Sequence, residues 1–246
     1  MDLTDKVALI TGARRVGAAV AVVLATRGAM IGLSYRRAAA SVAEAETLVR
    51  RVGRRVITLQ ADLTRPDDCR RLVEQTVASL GRLDVLVNMA SSYVSTPLDD
   101  LDESHWERAL AVDAKGAYLC ALAAVPHLRA SGGGRIINVS DWVARSGRPR
   151  YPGYLPYYVA KSAVIALTEA LAFELAGDGI LVNAVAPGPI RPPEGTDADE
   201  VEAVSRATPL GRWGGDHALA QAVVALVESD FVTGETIRVD GGRHLK

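Results

Sequence analysis

Val7-Ala8-Leu9-Ile10-Thr11-Gly12-Ala13-Arg14-Arg15-Val16-Gly17 reads as a strand, a tight turn and the start of a helix. Four consecutive apolar residues predict a short strand buried on both faces, the pattern of a parallel sheet covered on two sides. The helix is expected from about Arg14 to Arg27, with Val16, Val20, Val23 and Leu24 on its buried side. Its N-terminus would aim amide donors and a positive dipole back at the turn, and glycine there lets the backbone approach a pyrophosphate. Many tight turns need glycine, but a turn placed between a strand and a helix favours the anion-binding reading.

Outward from this unit the alternation repeats. Ala29 to Leu33, Arg55 to Leu59, Leu83 to Val87, Arg135 to Val139, Ile180 to Val185 and Glu235 to Val239 read as six further strands. Ser41 to Val52, Pro66 to Leu80, Ser104 to Leu110, Ala114 to Arg129, a long helix opening at Tyr157 and running to about Ala176, and His217 to Glu228 read as helices. Pro66 falls in a first turn, where its missing N–H is not needed. The sequence shows no linker, repeat or low-complexity segment. The expected fold is therefore a single α/β domain over residues 1–246, a doubly wound, mostly parallel seven-stranded sheet with helices on both faces.

Composition narrows the function. Of the 246 residues, 49% are hydrophobic and 23% charged, enough apolar material for a sizeable core. A net charge of −1 gives no electrostatic basis for binding nucleic acid or a membrane surface. Cys69 and Cys120 lack metal-ligand spacing and read as thiols of a reducing compartment. The four histidines are scattered, so no metal is expected. Met1-Asp2-Leu3-Thr4-Asp5-Lys6 is unlike a signal peptide, and no apolar run approaches the ~18 residues that would span a bilayer. A soluble, cytoplasmic protein is expected.

Two stretches carry chemistry. In Tyr157-Tyr158-Val159-Ala160-Lys161 the helical spacing sets a phenol beside an ammonium. A cation favours phenolate, so Lys161 is expected to bring the Tyr157 pKa down from the free value near ~10. The pair is a candidate proton donor to a carbonyl or imine. Ser34-Tyr35-Arg36-Arg37 ends the second strand, where the ribose of a dinucleotide would lie. An acidic residue there would bind a 2′-hydroxyl, whereas two guanidiniums suit a 2′-phosphate and hence NADPH. A merely solvated basic turn and a solvent-facing Tyr and Lys are the plain alternatives.

With Thr11-Gly12 and Gly17, Asp62-Leu63, Asn88-Met89-Ala90-Ser91, Tyr157 with Lys161, Asn183, Pro187-Gly188 and Val239-Asp240-Gly241-Gly242, the chain resembles the short-chain dehydrogenase/reductase family over nearly its whole length. The resemblance implies a nicotinamide dinucleotide, Tyr157 as proton donor, and Lys161 beside it on the nicotinamide ribose. Asp62 would face the adenine, and Leu63, Asn88, Ala90, Ser91, Pro187, Gly188 and Ile190 would line the cofactor. Family members mostly form homotetramers or homodimers.

Within the family, Arg14-Arg15-Val16-Gly17 and Ser34-Tyr35-Arg36-Arg37 resemble the cofactor turns of pteridine reductases, which makes Arg15, Val16, Gly17, Ser34, Arg36 and Arg37 implied contacts. Asn88-Met89-Ala90-Ser91-Ser92-Tyr93 resembles the run whose serine and aromatic touch the pterin in those enzymes, so Ser91 and Tyr93 are candidate substrate contacts. Asp141 stands where most of the wider family has serine and pteridine reductases have aspartate, which marks it as a candidate catalytic and substrate residue. Paired with Lys161 it would stay ionised, and burial would raise its pKa. The implied activity is NADPH-dependent reduction of a carbonyl or imine, with a pterin as the leading substrate. A 3-oxoacyl thioester or other ketone reductase is the alternative, and a dinucleotide-binding regulator with weakened catalysis is a third reading.

The sequence departs from the family at four places. The Gly-rich turn is short and has Val16 and Ala18 where glycine is usual; Asp113 replaces a helical asparagine that supports the lysine through water. Met89 replaces a second asparagine. The stretch from Asp141 to Tyr157 is longer than usual, which places Arg145 to Gly153 as an inserted loop bordering the site. Ser140 is a second hydroxyl candidate, one residue early and on the opposite strand face. Tyr154 and Tyr158 lack a lysine four residues on. Ile190 to Ser205 reads as a substrate lid or an ordinary surface loop.

Overall fold

The structure is a computed structural model describing residues 1–13, 16–37, 40–193 and 195–246, with the Ser41 side chain left aside. Seven strands form one sheet: β1 (Val7–Thr11), β2 (Met30–Tyr35), β3 (Val56–Gln60), β4 (Val85–Asn88), β5 (Gly134–Val139), β6 (Ile180–Pro187) and β7 (Thr236–Val239). Their order is β3-β2-β1-β4-β5-β6-β7, and every neighbouring pair is parallel. The sheet is thus wholly rather than mostly parallel.

Helices α1 (Val16–Thr26), α2 (Ala40–Arg51), α3 (Pro66–Leu80), α4 (Glu103–Ala109), α5 (Gly116–Ala130), α6 (Trp142–Arg145), α7 (Leu155–Leu175), α8 (Ala198–Ala207) and α9 (Asp216–Glu228) cover it. Strand alternation divides the core into two layers. Ala8, Ile10, Val85, Val87, Ile137 and Val185 pack with α1, α2 and α9, while Val7, Leu9, Leu86, Ile136 and Val182 pack with α3, α5 and α7. Each such side chain removed from water contributes ~1.5–3 kcal/mol.

Three elements differ from the sequence expectation. The stretch after Ile190 contains a helix, α8, capped by Asp197, whose carboxylate accepts from the Glu200 amide at 2.7 Å. A short helix, α6, starts right after Asp141. The two helices expected at 104–110 and 114–129 run on through a π-helical turn at Leu110–Lys115, giving one helix from Glu103 to Ala130. That helix is long and apolar enough to span a bilayer by length and composition, contrary to the expectation that no such stretch exists. Its packing on α3, α7 and β4 accounts for the apolar content instead.

Strand order reverses between β1 and β4, which opens a crevice at the carboxyl ends of the strands. The turn after β1, Arg36 and Arg37 after β2, Asp62 after β3, Asn88 to Tyr93 after β4, Asp141 after β5 and Gly188 to Ile190 after β6 all lie along this edge.

Candidate active site

Tyr157 lies one turn into α7 and is buried. Its hydroxyl donates to Asp141 Oδ2 at 2.8 Å. Asp141 Oδ1 accepts the Val143 amide at 2.9 Å, so the same carboxyl caps α6 and meets the phenol. Burial pushes the Asp141 pKa above the usual carboxylate range, against the Val143 amide, the Tyr157 hydroxyl and the Lys161 charge. The phenol is shifted the same way. Burial first, then the charges of Asp141 and Asp113, then the Asp141 hydrogen bond hold its pKa well above 10. The expectation that Lys161 lowers it is therefore corrected: two carboxylates face this phenol against one ammonium.

The ammonium is also engaged elsewhere. Lys161 Nζ donates to Val139 O at 2.8 Å and pairs with Asp113 Oδ1 at 3.0 Å, with both side chains almost fully buried. It lies 5.7 Å from the centre of the Tyr157 ring. Lys161 pairs with Asp113 rather than Asp141, because the π-helical turn carries Asp113 to the ammonium directly. Asp113 also accepts from Ser91 Oγ at 2.6 Å and from the Ser92 amide at 2.9 Å. Ser91 thus has its hydroxyl committed to the helix rather than free for a substrate. Ser140 Oγ donates to the Lys161 carbonyl at 2.8 Å, joining β5 to α7 away from the phenol.

Aromatic rings border the phenol. Tyr93 stacks on Tyr154 with centroids 4.7 Å apart and meets Tyr157 edge-on at 5.0 Å. One face of Tyr93 is therefore covered by Tyr154, which sequence reasoning had set aside, while the residue as a whole remains 53% exposed. The Thr96 amide donates to Gly153 O at 2.8 Å, linking the loop after β4 to the inserted loop. Arg150 sits over the Trp142 ring at 5.2 Å.

At the other end of the crevice, Gly12 has φ +68, and a Cβ there would lie 2.6 Å from the Ala90 Cα. Only glycine lets the β1 turn and the loop after β4 come this close. The Gly12 amide donates to Ser34 Oγ at 3.3 Å, so Ser34 braces the turn rather than pointing to the crevice. Arg14 and Arg15 lie outside the described residues. Val16 and Gly17 open α1, which has no acidic residue in its first turn. Gly188 passes so close to Asp240 that a Cβ would lie 2.5 Å from the Asp240 Cβ, and Ile190 is buried behind it.

Arg36, Arg37, Gln60, Asp62, Asp68 and Arg71 line a cleft of about 380 Å³. Arg71 was missed by sequence reasoning. Its place on α3, three residues after Asp68, was the available signal, and it pairs with Asp68 at 2.9 Å. Burial pushes the Asp62 carboxyl up, but two bonds from Thr64 and the Arg36 charge outweigh that and hold it below the usual range. Leu63 is buried beneath it. Asn88 donates to Asn138 Oδ1 at 2.9 Å, and its own Oδ1 is buried with no partner among the described residues. The residues present fit a dinucleotide: exposed guanidiniums at one end, an acid-free helix start and glycine-only turn in the middle, an unmatched acceptor and the Lys161 ammonium at the other. Among the described residues no His, Cys, Asp and Glu cluster fits a metal ion.

A family model described as "Enoyl-(Acyl carrier protein) reductase" matches residues 12–244. A 3-oxoacyl-[acyl-carrier-protein] reductase of Staphylococcus aureus is 35% identical over 249 residues, covering 98% of each chain. Among solved structures, a short-chain dehydrogenase/reductase from Serratia marcescens matches with TM-score 0.92 at 29% identity, over 99% of this chain and 100% of that one. Acetoin dehydrogenase from Enterobacter cloacae matches with TM-score 0.88 at 36% identity, over 98% and 96%. Likeness that runs the whole length, with the reductase and the acetoin dehydrogenase above 30% identity, makes the chain an oxidoreductase of the short-chain dehydrogenase/reductase family.

Proposed function

We propose that the chain is a single-domain, NADPH-dependent reductase of a carbonyl or imine carbon, with a site closest to the pteridine reductase branch. The observation that carries this reading is the Tyr157 hydroxyl on a buried Asp141, one helical turn from the ion-paired Lys161. NADPH supplies a hydride when bound. Gly12, Val16 and Gly17 would admit its pyrophosphate, Arg36 and Arg37 its 2′-phosphate, and Asp62 and Leu63 its adenine. Asn88, Ala90, Pro187, Gly188 and Ile190 would line the rest. Lys161 has three N–H donors and two partners here, which leaves one for the ribose hydroxyls.

Tyr157 gives its proton to the substrate oxygen or nitrogen. Asp141 accepts the Tyr157 hydroxyl at 2.8 Å and orients that phenol, where a serine would supply a hydroxyl of its own. The free side of Tyr93 offers a wall to a planar ring. A ketone or 3-oxoacyl thioester is the second reading, favoured by the names of the Staphylococcus and Enterobacter proteins. Both free cysteines are buried, in keeping with a reducing cytoplasmic setting. Exposed Tyr118 and Leu122, one turn apart on α5, and Phe173 on α7 support a homotetramer or homodimer.

A panel of acetoacetyl thioester, small diketones, a quinone, dihydrofolate and dihydrobiopterin separates the two readings. Steady-state kinetics on the unmodified chain, Asp141→Ser and Tyr93→Ala should show pterin turnover that falls at least about tenfold in both variants. Efficient ketone reduction with no pterin turnover selects the second reading. For the cofactor, Arg36→Ala with Arg37→Ala should weaken NADPH binding by about 3–6 kcal/mol, two charge-assisted contacts, and leave NADH binding little changed. Equal affinity of the unmodified chain for the two cofactors, read by fluorescence titration, rejects NADPH selectivity.

A further inference from the structure

We infer that Asp113 is a positioning residue: it fixes Lys161 through a buried ion pair and cancels the ammonium's charge beside Tyr157, so that the phenol stays protonated through neutral and mildly alkaline pH. The inference rests on the reading of Tyr157 as proton donor. Its geometry is specific. The π-helical turn at Leu110–Lys115 inserts the carboxylate into the interior, and π turns recur at functional positions. Both oxygens are used: Oδ1 meets Lys161 Nζ at 3.0 Å and Ser91 Oγ at 2.6 Å, and Oδ2 meets the Ser92 amide. With the Val139 carbonyl on its other side, the ammonium has no freedom to swing towards Tyr157.

The groups facing the phenol are few. Asp141 approaches from the start of α6, Asp113 from the π turn and Lys161 from α7. The rings of Tyr93 and Tyr154 approach from the loops after β4 and before α7. Among these, Asp113 and Lys161 form one neutral pair. Burial and the Asp141 charge then act on the phenol without an opposing net positive charge, and both favour the protonated form. A neutral residue at 113 would leave the ammonium uncompensated and favour the phenolate. Since reduction uses the phenol and oxidation the phenolate, the pair keeps the reduction rate level as pH rises.

The test uses Asp113→Asn and Asp113→Ser, two neutral substitutions of different size, alongside the unmodified chain. Each is measured against the same protein carrying Tyr157→Phe. Subtracting alkaline ultraviolet absorbance of the cofactor-free proteins isolates the titration of this one phenol. The unmodified chain should form no Tyr157 phenolate at pH ~10, the ordinary phenol midpoint. Both neutral variants should show a midpoint at least about one pH unit lower than the unmodified chain. The alkaline limb of kcat/KM for carbonyl or imine reduction should move down equally.

Coincident titrations overturn the inference. So does failure of both neutral variants to fold, which would make the carboxylate a structural strut. If the unmodified chain reduces no member of the panel, the proposed activity fails, while the absorbance titration still decides the role of Asp113.

Discussion

Tyr157→Phe lowers turnover by about 10²–10⁴-fold, the range a positioned general acid contributes, and leaves the fold and cofactor binding intact. The ring stays in place against Tyr93 and Tyr154, so only the hydroxyl and its bond to Asp141 Oδ2 are lost. Removing one such hydrogen bond costs about 1 kcal/mol of stability, too little to unfold a domain of this size. Asp141 keeps the Val143 amide on its other oxygen and loses a donor that favoured its ionised form, so its pKa moves further up. Initial-rate measurements at saturating nicotinamide cofactor, with circular dichroism as the fold control, decide the matter. Turnover within a factor of three of the unmodified enzyme would remove Tyr157 from the proton-donor role and leave Asp141 as the acid.

Lys161→Ala destabilises the protein by about 3–5 kcal/mol, the cost of leaving one member of a buried ion pair without its partner. At ~2–4 °C per kcal/mol for a domain of this size, the melting temperature falls by roughly 6–20 °C. The Asp113 carboxylate would lose its only cation among the described residues, and Val139 O would lose the Lys161 donor. This goes beyond the loss of activity and ribose binding expected of the residue, since a lysine held only by a bound cofactor would leave the cofactor-free fold untouched by its removal. Calorimetry of the cofactor-free variant tests it, and a melting temperature within a degree or two of the parent would show that the pair contributes nothing to the fold. Lys161→Met, closer in volume, separates the charge effect from the cavity.

The sheet was legible because each strand is a short apolar run between helices, and α3 was placed at Pro66–Leu80 with proline in its first turn. Tyr157 and Lys161 were legible because four residues of spacing on a helix fix their proximity. What escaped was whatever depends on contacts distant in sequence. The resemblance tied Asp113 to Lys161 through water, but their direct ion pair comes from packing of the π turn against α7, which local spacing does not reveal. Whether Lys161 or burial governs Asp141 was left open, and the shift given to Tyr157 had the wrong sign. The Tyr93–Tyr154 stack joins two loops and has no periodic signature. Helix α8 fell within a polar stretch after the sixth strand read as a lid or a surface loop, although Asp197 with Asp199 and Glu200 in the first turn is a helix-start pattern.

The π-helical turn at Leu110–Lys115 also has a consequence for phase. Successive α-helical residues advance by about 100°, so each residue added to or taken from a helix rotates everything beyond it by that amount. One surplus residue is absorbed here, so the apolar stripes of α4 and α5 obey two offset counts rather than one. The register slips at the position that feeds a carboxylate into the interior. Deleting a single residue between 110 and 115 would straighten the helix into one regular frame, a gain for helical hydrogen bonding. Asp113 would then rotate away from Lys161, or the whole of α5 would turn its packed face off α3. The irregularity is where the geometry of the site has been written into the helix as a counting error.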